Sequence, residues 1–245
     1  MKISIVEDYD QLSEKAAAIV AGQLQAKKDS VLGLATGSTP EGMYANLVKM
    51  YREGLLDFSS VITFNLDEYV GLSPQHPQSY QAYMYRLFFD HVNIKPENIY
   101  IPSLNENMDS VVQVCRDYDQ KIYQAGGIDL QILGIGVNGH IGFNESGSSL
   151  PKNTYMVDLS PETIEANSRF FDSAEEVPHR AVTMGLGPIM HAKRVLLLAS
   201  GRDKAEAVKE SFSGHITTQV PASLLQLHPA ALVLVDHEAA FLLNE

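Results

Sequence analysis

Short apolar runs alternate with helix-patterned segments along the whole chain, and this alternation is the feature that most restricts the fold. The clearest apolar runs occupy residues 31–35, 61–65, 128–133, 195–199 and 231–235. Each has the length of one buried strand, and the segments between them carry helix-start signals or apolar residues at helical spacing. Parallel strands need such crossover segments. We therefore predict a three-layer α/β fold, with a Rossmann-like, mostly parallel sheet and helices on both faces.

Length and composition agree with a folded chain that has a sizeable core. The chain has 245 residues, of which 45% are hydrophobic and 20% are charged. This length suits one large α/β domain or two small ones. Because no segment resembles a linker or has low complexity, we predict a single domain over residues 1–245.

The charge balance excludes some classes of partner. The net charge is -12 and the pI is about 5.0, which disfavours nonspecific binding to nucleic acid or to anionic membranes. An anionic substrate then needs a local positive site. The amino terminus lacks a signal-peptide core, and no apolar run approaches the roughly 20 residues that span a bilayer. A single cysteine, Cys115, allows no internal disulfide. We expect a soluble cytoplasmic protein.

A glycine-rich stretch, residues 134–145, follows the third apolar run and carries acid/base groups. Its four glycines permit positive φ angles and close backbone approach to a ligand. Among them lie Asn138, His140 and Glu145, and a histidine can exchange protons near neutral pH. Open α/β sheets bind ligands at the carboxyl ends of their strands. The stretch is therefore a candidate acid/base site, although a histidine in a glycine-rich loop is more often structural.

The same stretch also fits a dinucleotide-binding fingerprint, with glycines at 134, 136 and 139 and an acidic residue, Asp158, about 20 residues further on. That fingerprint opens a helix. Gly142, Gly147 and Pro151 disfavour a long helix here, so nucleotide binding is the weaker alternative.

A second strand runs into residues 36–41, which read Thr-Gly-Ser-Thr-Pro-Glu. Either Thr39 caps a helix that begins at Pro40, or Ser38 forms a capping box with Glu41. In both cases exposed N–H groups and the helix dipole favour an anion. The segment lacks the Gly-Lys-Ser/Thr ending of a P-loop. A helix cap with no ligand remains the ordinary alternative.

Charged residues also follow two further strands. Asp67 and Glu68 come after the second apolar run. Adjacent residues cannot point the same way in a strand, so one carboxylate can face a ligand while the other caps a neighbour; a solvated pair is the ordinary alternative. Residues 71–77 form a candidate lid. Lys204 lies in the first turn of a later helix, where a cation opposes the dipole unless an anion lies beside it.

Five stretches taken together resemble the glucosamine-6-phosphate deaminase family, in order over nearly the whole chain. They are residues 36–40, 64–72, 138–145, 167–171 and 225–229. The second and third, Phe-Asn-Leu-Asp-Glu-Tyr-Val-Gly-Leu and Asn-Gly-His-Ile-Gly-Phe-Asn-Glu, are specific to that family. The resemblance implies conversion of glucosamine 6-phosphate and water to fructose 6-phosphate and ammonia, in amino-sugar and N-acetylglucosamine degradation. It implies no cofactor and no metal, and a hydrolase class acting on C–N bonds of the cyclic-amidine type.

The resemblance also implies residue roles. Asp67 corresponds to the base that moves a proton from C2 to C1, and His140 to the acid/base that opens the sugar ring. Glu145 corresponds to the charged partner of this histidine, and Asn138 holds the third ring-opening position. The implied substrate-binding residues are Thr36, Gly37, Ser38, Thr39, Arg169 and Lys204.

The chain departs from the family pattern in two places. Several relatives carry Asp at the position of Asn138, and an amide cannot hold His140 protonated by charge. We therefore expect His140 to depend more on Glu145. In hexameric relatives activated by N-acetylglucosamine 6-phosphate, basic residues follow the glycine-rich loop, whereas residues 152–157 here read Lys-Asn-Thr-Tyr-Met-Val. Those relatives also have a longer C-terminal tail, whereas the chain here stops at Glu245. We expect no such activation, and a monomer or small homo-oligomer.

Two other functions remain open from the sequence. One is a 6-phosphogluconolactonase-like sugar-phosphate hydrolase, which needs neither a C2 base nor a ring-opening pair. The other is a non-catalytic sugar-phosphate sensor, against which the intact acid/base set argues.

Overall fold

Seven parallel strands form the main sheet, and a small antiparallel sheet lies beside it. The computed structural model describes residues 1–103, 111–168, 171, 173 and 176–243. In these residues the main sheet has the order β1-β10-β9-β6-β2-β3-β5, and the small sheet has the order β4-β8-β7. The strands are β1 (Lys2–Val6), β2 (Val31–Leu34), β3 (Ile62–Asn65), β4 (Asp67–Tyr69), β5 (Ile99–Tyr100), β6 (Leu130–Leu133), β7 (Tyr155–Asp158), β8 (Arg180–Thr183), β9 (Val195–Ala199) and β10 (Ala231–Asp236).

Helices surround the main sheet and complete the α/β fold. They are α1 (Tyr9–Ala26), α2 (Glu41–Arg52), α3 (Tyr80–Leu87), α4 (Val111–Gln124), α5 (Pro161–Ser168), α6 (Leu186–His191) and α7 (Ala205–Phe212), with short 3-10 helices including Arg202–Lys204 and Pro221–Leu227. The predicted α/β fold with a mostly parallel sheet is confirmed. None of the helices in the described ranges is long and apolar enough to cross a membrane.

The centre of the sheet is apolar because its strands are covered on both faces. All five residues of β9 are buried, and so are all four of β2 and of β6. Continuous apolar runs of this kind are typical of parallel strands. This explains why the apolar runs were visible in the sequence without an alternating pattern.

The strand order reverses between β2 and β6. From β2 the chain proceeds to β3 and β5 on one side, whereas β6 lies on the other side of β2 and leads to β9 and β10. Ligands bind at such a switch point, outside the carboxyl ends of the strands. The segments that follow β2, β3, β6 and β9 all leave this edge, and they contain four of the stretches singled out in the sequence.

The small sheet explains how Asp67 leaves the main sheet. Leu66 donates its N–H to the Leu34 carbonyl at 3.0 Å, which is where β3 stops following β2. The next residue, Asp67, already pairs with Thr183 of β8 in an antiparallel ladder. This change of partner was not predicted, because a three-residue strand carries too little pattern to be recognised.

Candidate active site

The loop after β6 is a tight turn built around His140. The Gly136 N–H donates to the His140 carbonyl at 2.9 Å, and Gly139 has φ of +81°. The imidazole lies against Gly136, where a Cβ atom would come within 2.3 Å of the ring. No helix begins in this described loop, so the dinucleotide fingerprint is not met.

Glu145 holds its charge beside His140. Its Oε2 atom lies 3.2 Å from His140 Nδ1, within the distance of an ion pair when the imidazole is protonated. Burial alone would raise the pKa of Glu145, but His140, Thr163 and Asn138 together lower it to about 2. The Thr163 hydroxyl donates to Oε1 at 2.7 Å. The carboxylate therefore remains ionised at neutral pH.

Asn138 supports this pair through the Glu145 carboxylate and the His140 backbone, and not through the imidazole. Its amide nitrogen donates to Glu145 Oε2 at 3.0 Å, and its oxygen accepts the backbone N–H of His140 at 3.2 Å. The amide oxygen is thus occupied, and the charge beside the ring comes from Glu145.

Thr163 is a site residue that sequence reasoning missed. Ser160 directly precedes α5, and its hydroxyl accepts the Thr163 N–H at 3.1 Å. This cap orients the first turn of α5 so that the Thr163 side chain reaches Glu145. The start of the helix was visible in the sequence, but its contact with a loop 18 residues earlier was not.

Asp67 lies against the same loop from the other side. Only 6% of the residue is exposed, and burial, assisted by the charge of Glu68, raises the pKa of Asp67 to about 8. A Cβ atom on Gly142 would lie 3.4 Å from Asp67 Oδ2. The Phe143 N–H, one residue further on, donates to Thr183 Oγ1 at 3.1 Å and fixes the loop to β8. The structure therefore brings Asp67 and the loop of His140 together.

Glu68 points away from Asp67 and caps α3. Its Oε1 accepts the Tyr80 N–H at 2.9 Å, and its Oε2 accepts the Gln81 N–H at 2.8 Å. The prediction that one of two adjacent carboxylates would cap a neighbour is confirmed.

The turn between β2 and α2 differs from both capping predictions. Helix α2 begins at Glu41, and Pro40 is its N-cap with no side-chain cap hydrogen bond. Pro40 has helical φ and ψ angles, as a first helical position requires, but neither the Thr39 nor the Ser38 hydroxyl makes a capping hydrogen bond in the described residues. Glu41 makes no capping box, because its Oε1 accepts the Tyr83 hydroxyl at 2.8 Å. Both capping predictions were wrong.

The consequence is that the polar side chains of this turn are available to a ligand. Within the described residues, the hydroxyls of Thr36, Ser38 and Thr39 make no hydrogen bond, and Ser38 is exposed. Gly37 has φ of +100°, a backbone conformation that favours glycine. Below, "the anion turn" means residues 36–40.

Lys204 lies at the same edge, after β9. It ends the 3-10 turn Arg202–Lys204 and precedes α7, one element earlier than the helical first turn that we predicted. Its side chain is 20% exposed, and Nζ lies 3.6 Å from Asp203 Oδ2. Asp236 at the end of β10 holds the start of this turn, because its carboxylate accepts the Ser200 hydroxyl and the Gly201 N–H. Arg169 lies outside the described residues.

No predicted site residue lies in either of two cavities found elsewhere. One, of about 510 Å³, is lined by residues including Tyr123, Lys152 and His191. The other, of about 640 Å³, adjoins α3. In the part of the chain that the structure describes, no group of three His, Cys, Asp or Glu side chains could hold a metal ion.

Comparison with known proteins identifies the family. A profile described as glucosamine-6-phosphate isomerases/6-phosphogluconolactonase matches residues 7–234. Glucosamine-6-phosphate deaminase from Thermoanaerobacter pseudethanolicus is 57% identical over 245 residues, covering 100% of this chain and 96% of its own. That from Halothermothrix orenii is 57% identical over 244 residues, covering 99% of this chain and 100% of its own.

Solved structures agree with this assignment. A monomeric glucosamine-6-phosphate deaminase is 47% identical, with a TM-score of 0.94, and the match covers 99% of this chain and 100% of that one. A 6-phosphogluconolactonase from Leishmania guyanensis shares the fold, at 22% identity, a TM-score of 0.76 and 97% coverage of each chain. The identity over the full chain separates the two groups, and the chain belongs to the glucosamine-6-phosphate deaminase family.

Proposed function

We propose that the chain converts D-glucosamine 6-phosphate and water to D-fructose 6-phosphate and ammonia. The proposal rests on one observation, that two separate acid/base groups, the His140–Glu145 pair and Asp67, lie at the same loop. The His140–Glu145 pair lies in that loop at 3.2 Å, and Asp67 packs against Gly142 from outside it. An aldose with a closed ring needs both groups, because the ring must open before the C2 proton becomes acidic.

His140 and Glu145 supply the ring-opening step. The ionised Glu145 faces Nδ1 and favours a proton on that nitrogen, which leaves Nε2 to exchange protons with the sugar. The imidazole takes the proton of the O1 hydroxyl and returns one to the ring oxygen O5. The C1–O5 bond breaks and C1 becomes an aldehyde.

Asp67 supplies the isomerisation step. Its carboxylate removes the C2 proton while the aldehyde oxygen O1 takes a proton from the C2 ammonium group, which gives a neutral enolamine. The protonated Asp67 then delivers its proton to C1. The resulting C2 imine adds water and loses ammonia, leaving the C2 ketone of fructose 6-phosphate. A pKa of about 8 makes Asp67 a stronger base than an ordinary carboxylate, and the cationic amine of the substrate favours its ionised form.

The anion turn and Lys204 anchor the phosphate. The turn offers backbone N–H groups at the start of the 12-residue helix α2 and three hydroxyls without partners in the described residues. Arg169 completes the proposed set. Binding at this remote end orients C1 and C2 toward Asp67 and His140.

This chemistry is best described as isomerisation coupled with deamination. The net reaction consumes one water and breaks the C2–N bond, and the term hydrolase applies only in that sense, because the substrate contains no amidine. We place the activity in amino-sugar catabolism in the cytoplasm, with no cofactor and no metal.

Ammonia release from glucosamine 6-phosphate tests the proposal. We expect Asp67→Asn to lower kcat by about 10²–10⁴-fold, the usual contribution of a positioned base. Glu145→Gln should lower kcat by about 10²-fold through slower ring opening, whereas the exposed control Glu53→Gln should not. Hydrolysis of 6-phosphogluconolactone without ammonia release would favour the lactonase, and sugar-phosphate binding without turnover would favour the sensor. Unimpaired ring opening in Glu145→Gln would contradict its role.

A further inference from the structure

Helix α3 is tied at its first turn to the strand that carries Asp67. Glu68, the next residue along that strand, accepts the N–H groups of Tyr80 and Gln81 at 2.9 and 2.8 Å. Its Oε1 also accepts the N–H of Tyr69 at 2.9 Å, so one buried carboxylate joins β4 to the helix. A carboxylate at a helix amino terminus is also favoured by the dipole. This end of α3 therefore cannot move without moving β4.

The same helix is tied to the anion turn less than one turn later. The Tyr83 hydroxyl lies 2.8 Å from the Gly37 carbonyl and 2.8 Å from Glu41 Oε1. The hydroxyl has one proton, but both acceptors belong to the anion turn or to the first residue of α2. Burial and the contact with Glu41 raise the pKa of Tyr83, so the phenol remains a donor. Whichever acceptor it uses, Tyr83 joins α3 either to the anion turn or to the residue that follows the turn directly.

The backbone ladder between β2 and β3 ends one residue before Asp67 and two residues before Thr36. The bond from the Leu66 N–H to the Leu34 carbonyl is at the end of the contact between β2 and β3. Beyond it, Asp67 pairs with β8, and the anion turn leaves the sheet without a side-chain cap. Helix α3 packs against both β4 and α2 across this gap. It contains neither glycine nor proline, so it is a stiff connection.

We propose that Glu68 and Tyr83 are positioning residues, and that the first turn of α3 acts as a strut that sets the distance between the Asp67 carboxylate and the anion turn. This inference rests on the proposed function, because that distance matters only to a ligand that spans both. Glucosamine 6-phosphate does so, with its phosphate at one end and C2 at the other. An error of about 1 Å in such a geometry can cost about 10²-fold in rate.

Kinetics of Tyr83→Phe distinguish a role in setting this distance from a local effect on phosphate binding. We expect kcat/KM for glucosamine 6-phosphate to fall by about 10-fold, in line with one lost hydrogen bond. The inhibition constant for inorganic phosphate should change by less than about 2-fold, because phosphate alone does not span the two groups. Tyr85→Phe is the matched control: it removes a hydroxyl from the same helix that makes no hydrogen bond within the described residues, and its ring packs on Phe89. It should behave as the parent protein.

A double variant tests the strut as a unit. Glu68→Gln keeps one acceptor oxygen and loses the other, so it weakens the first connection. If the first turn of α3 is a strut, losing either of its two connections releases it, and Glu68→Gln with Tyr83→Phe should be no worse than the more impaired single variant. Rates are compared at the pH-independent plateau, because the charge of Glu68 also shifts the titration of Asp67. Losses that multiply would overturn the proposal, since distant independent sites combine additively in free energy. Equal weakening of substrate and inorganic phosphate would also overturn it.

Calorimetry distinguishes a failure of the strut from a failure of the proposed function. Ammonia release by the unsubstituted chain tests the function alone. Binding of fructose 6-phosphate and of inorganic phosphate to the unsubstituted chain and to Tyr83→Phe tests the strut without turnover. We expect weaker binding of fructose 6-phosphate only. Unchanged binding of both ligands would reject the strut even in an active deaminase.

Discussion

Asp67 and Glu145 are two carboxylates of one proposed site whose surroundings move their pKa values in opposite directions. Burial and Glu68 raise the pKa of Asp67 to about 8, whereas for Glu145 the contacts with His140, Thr163 and Asn138 outweigh burial and lower it to about 2. When their surroundings shift the pKa values of two carboxylates apart, the two groups can take different roles in one reaction. One carboxylate is suited to exchange a proton, and the other to remain a fixed charge.

The raised pKa of Asp67 should lower stability as the pH rises. The unfolded chain loses this proton near pH 4, but the folded chain keeps it until about pH 8, so stability decreases between these values. Each unit of this pKa shift lowers the free energy of unfolding by at most about 1.36 kcal/mol. Asp67→Asn removes the penalty, and its Tm should exceed that of the parent at pH 8, by about 2–4 °C for each kcal/mol of penalty removed.

Thermal unfolding at several pH values checks this result. The Tm advantage of Asp67→Asn should shrink toward pH 4.5, where both states of the parent hold more of the proton. The exposed control Glu53→Gln should show no such trend. A variant that is equally stable or less stable than the parent at pH 8 would mean that the buried carboxylate carries no such cost.

At the scale of elements, the sequence predicts what is local and misses what is distant. The loop of His140 and the pair Asp67 and Glu68 were identified because each follows an apolar run, and parallel strands bring their carboxyl ends together. The contact of Thr163 with Glu145 joins residues 18 apart, and that of Tyr83 with Gly37 joins residues 46 apart. Neither partner is implied by its own neighbours in the sequence.

The same limit explains the errors at element boundaries. Residues 36–41 carry a sound helix-start signal, yet α2 begins at Glu41 without a side-chain cap, and the Glu41 carboxylate accepts the Tyr83 hydroxyl of another helix. The 3-10 turn before α7 is likewise set from outside its own segment, by Asp236 at the end of β10. Tertiary contacts decide between local alternatives that have similar free energies.

The turn that carries Lys204 gives a prediction at this scale. Asp236 accepts the Ser200 hydroxyl, the Gly201 N–H and the Ala239 N–H. Asparagine offers a single acceptor oxygen in its place, so Asp236→Asn should loosen the turn and weaken phosphate binding. We expect KM and the inhibition constant of inorganic phosphate to rise together by about 5–10-fold, with kcat within about 2-fold.

The exposed residue Asp10 provides a control for charge, and Asp10→Asn should leave both constants unchanged. Tm is measured in parallel, so that a loss of folded protein is not mistaken for weaker binding. If Asp236→Asn lowers kcat and leaves KM and the inhibition constant of inorganic phosphate unchanged, the turn does not contribute to phosphate binding.

At the scale of the whole molecule, the assembly state decides what regulation is possible. A solved relative that is 47% identical, with a TM-score of 0.94, is described as monomeric. Residues 152–157, which we expected to be basic in an activated hexamer, have one lysine here and continue into β7, an edge strand of the small sheet. We propose a monomer or a small homo-oligomer without activation by N-acetylglucosamine 6-phosphate.

Homotropic cooperativity at equilibrium requires a coupling free energy between distinct sites. A chain that acts as a monomer with one substrate site cannot show it, so initial rates should follow a hyperbola in glucosamine 6-phosphate, with a Hill coefficient of about 1. Specific activity should not depend on protein concentration, and N-acetylglucosamine 6-phosphate should act only as a weak competitor. Sedimentation velocity gives the assembly state of the same samples. Sigmoidal rates that become hyperbolic on addition of the acetylated sugar would show that a second, coupled site exists despite the missing basic residues.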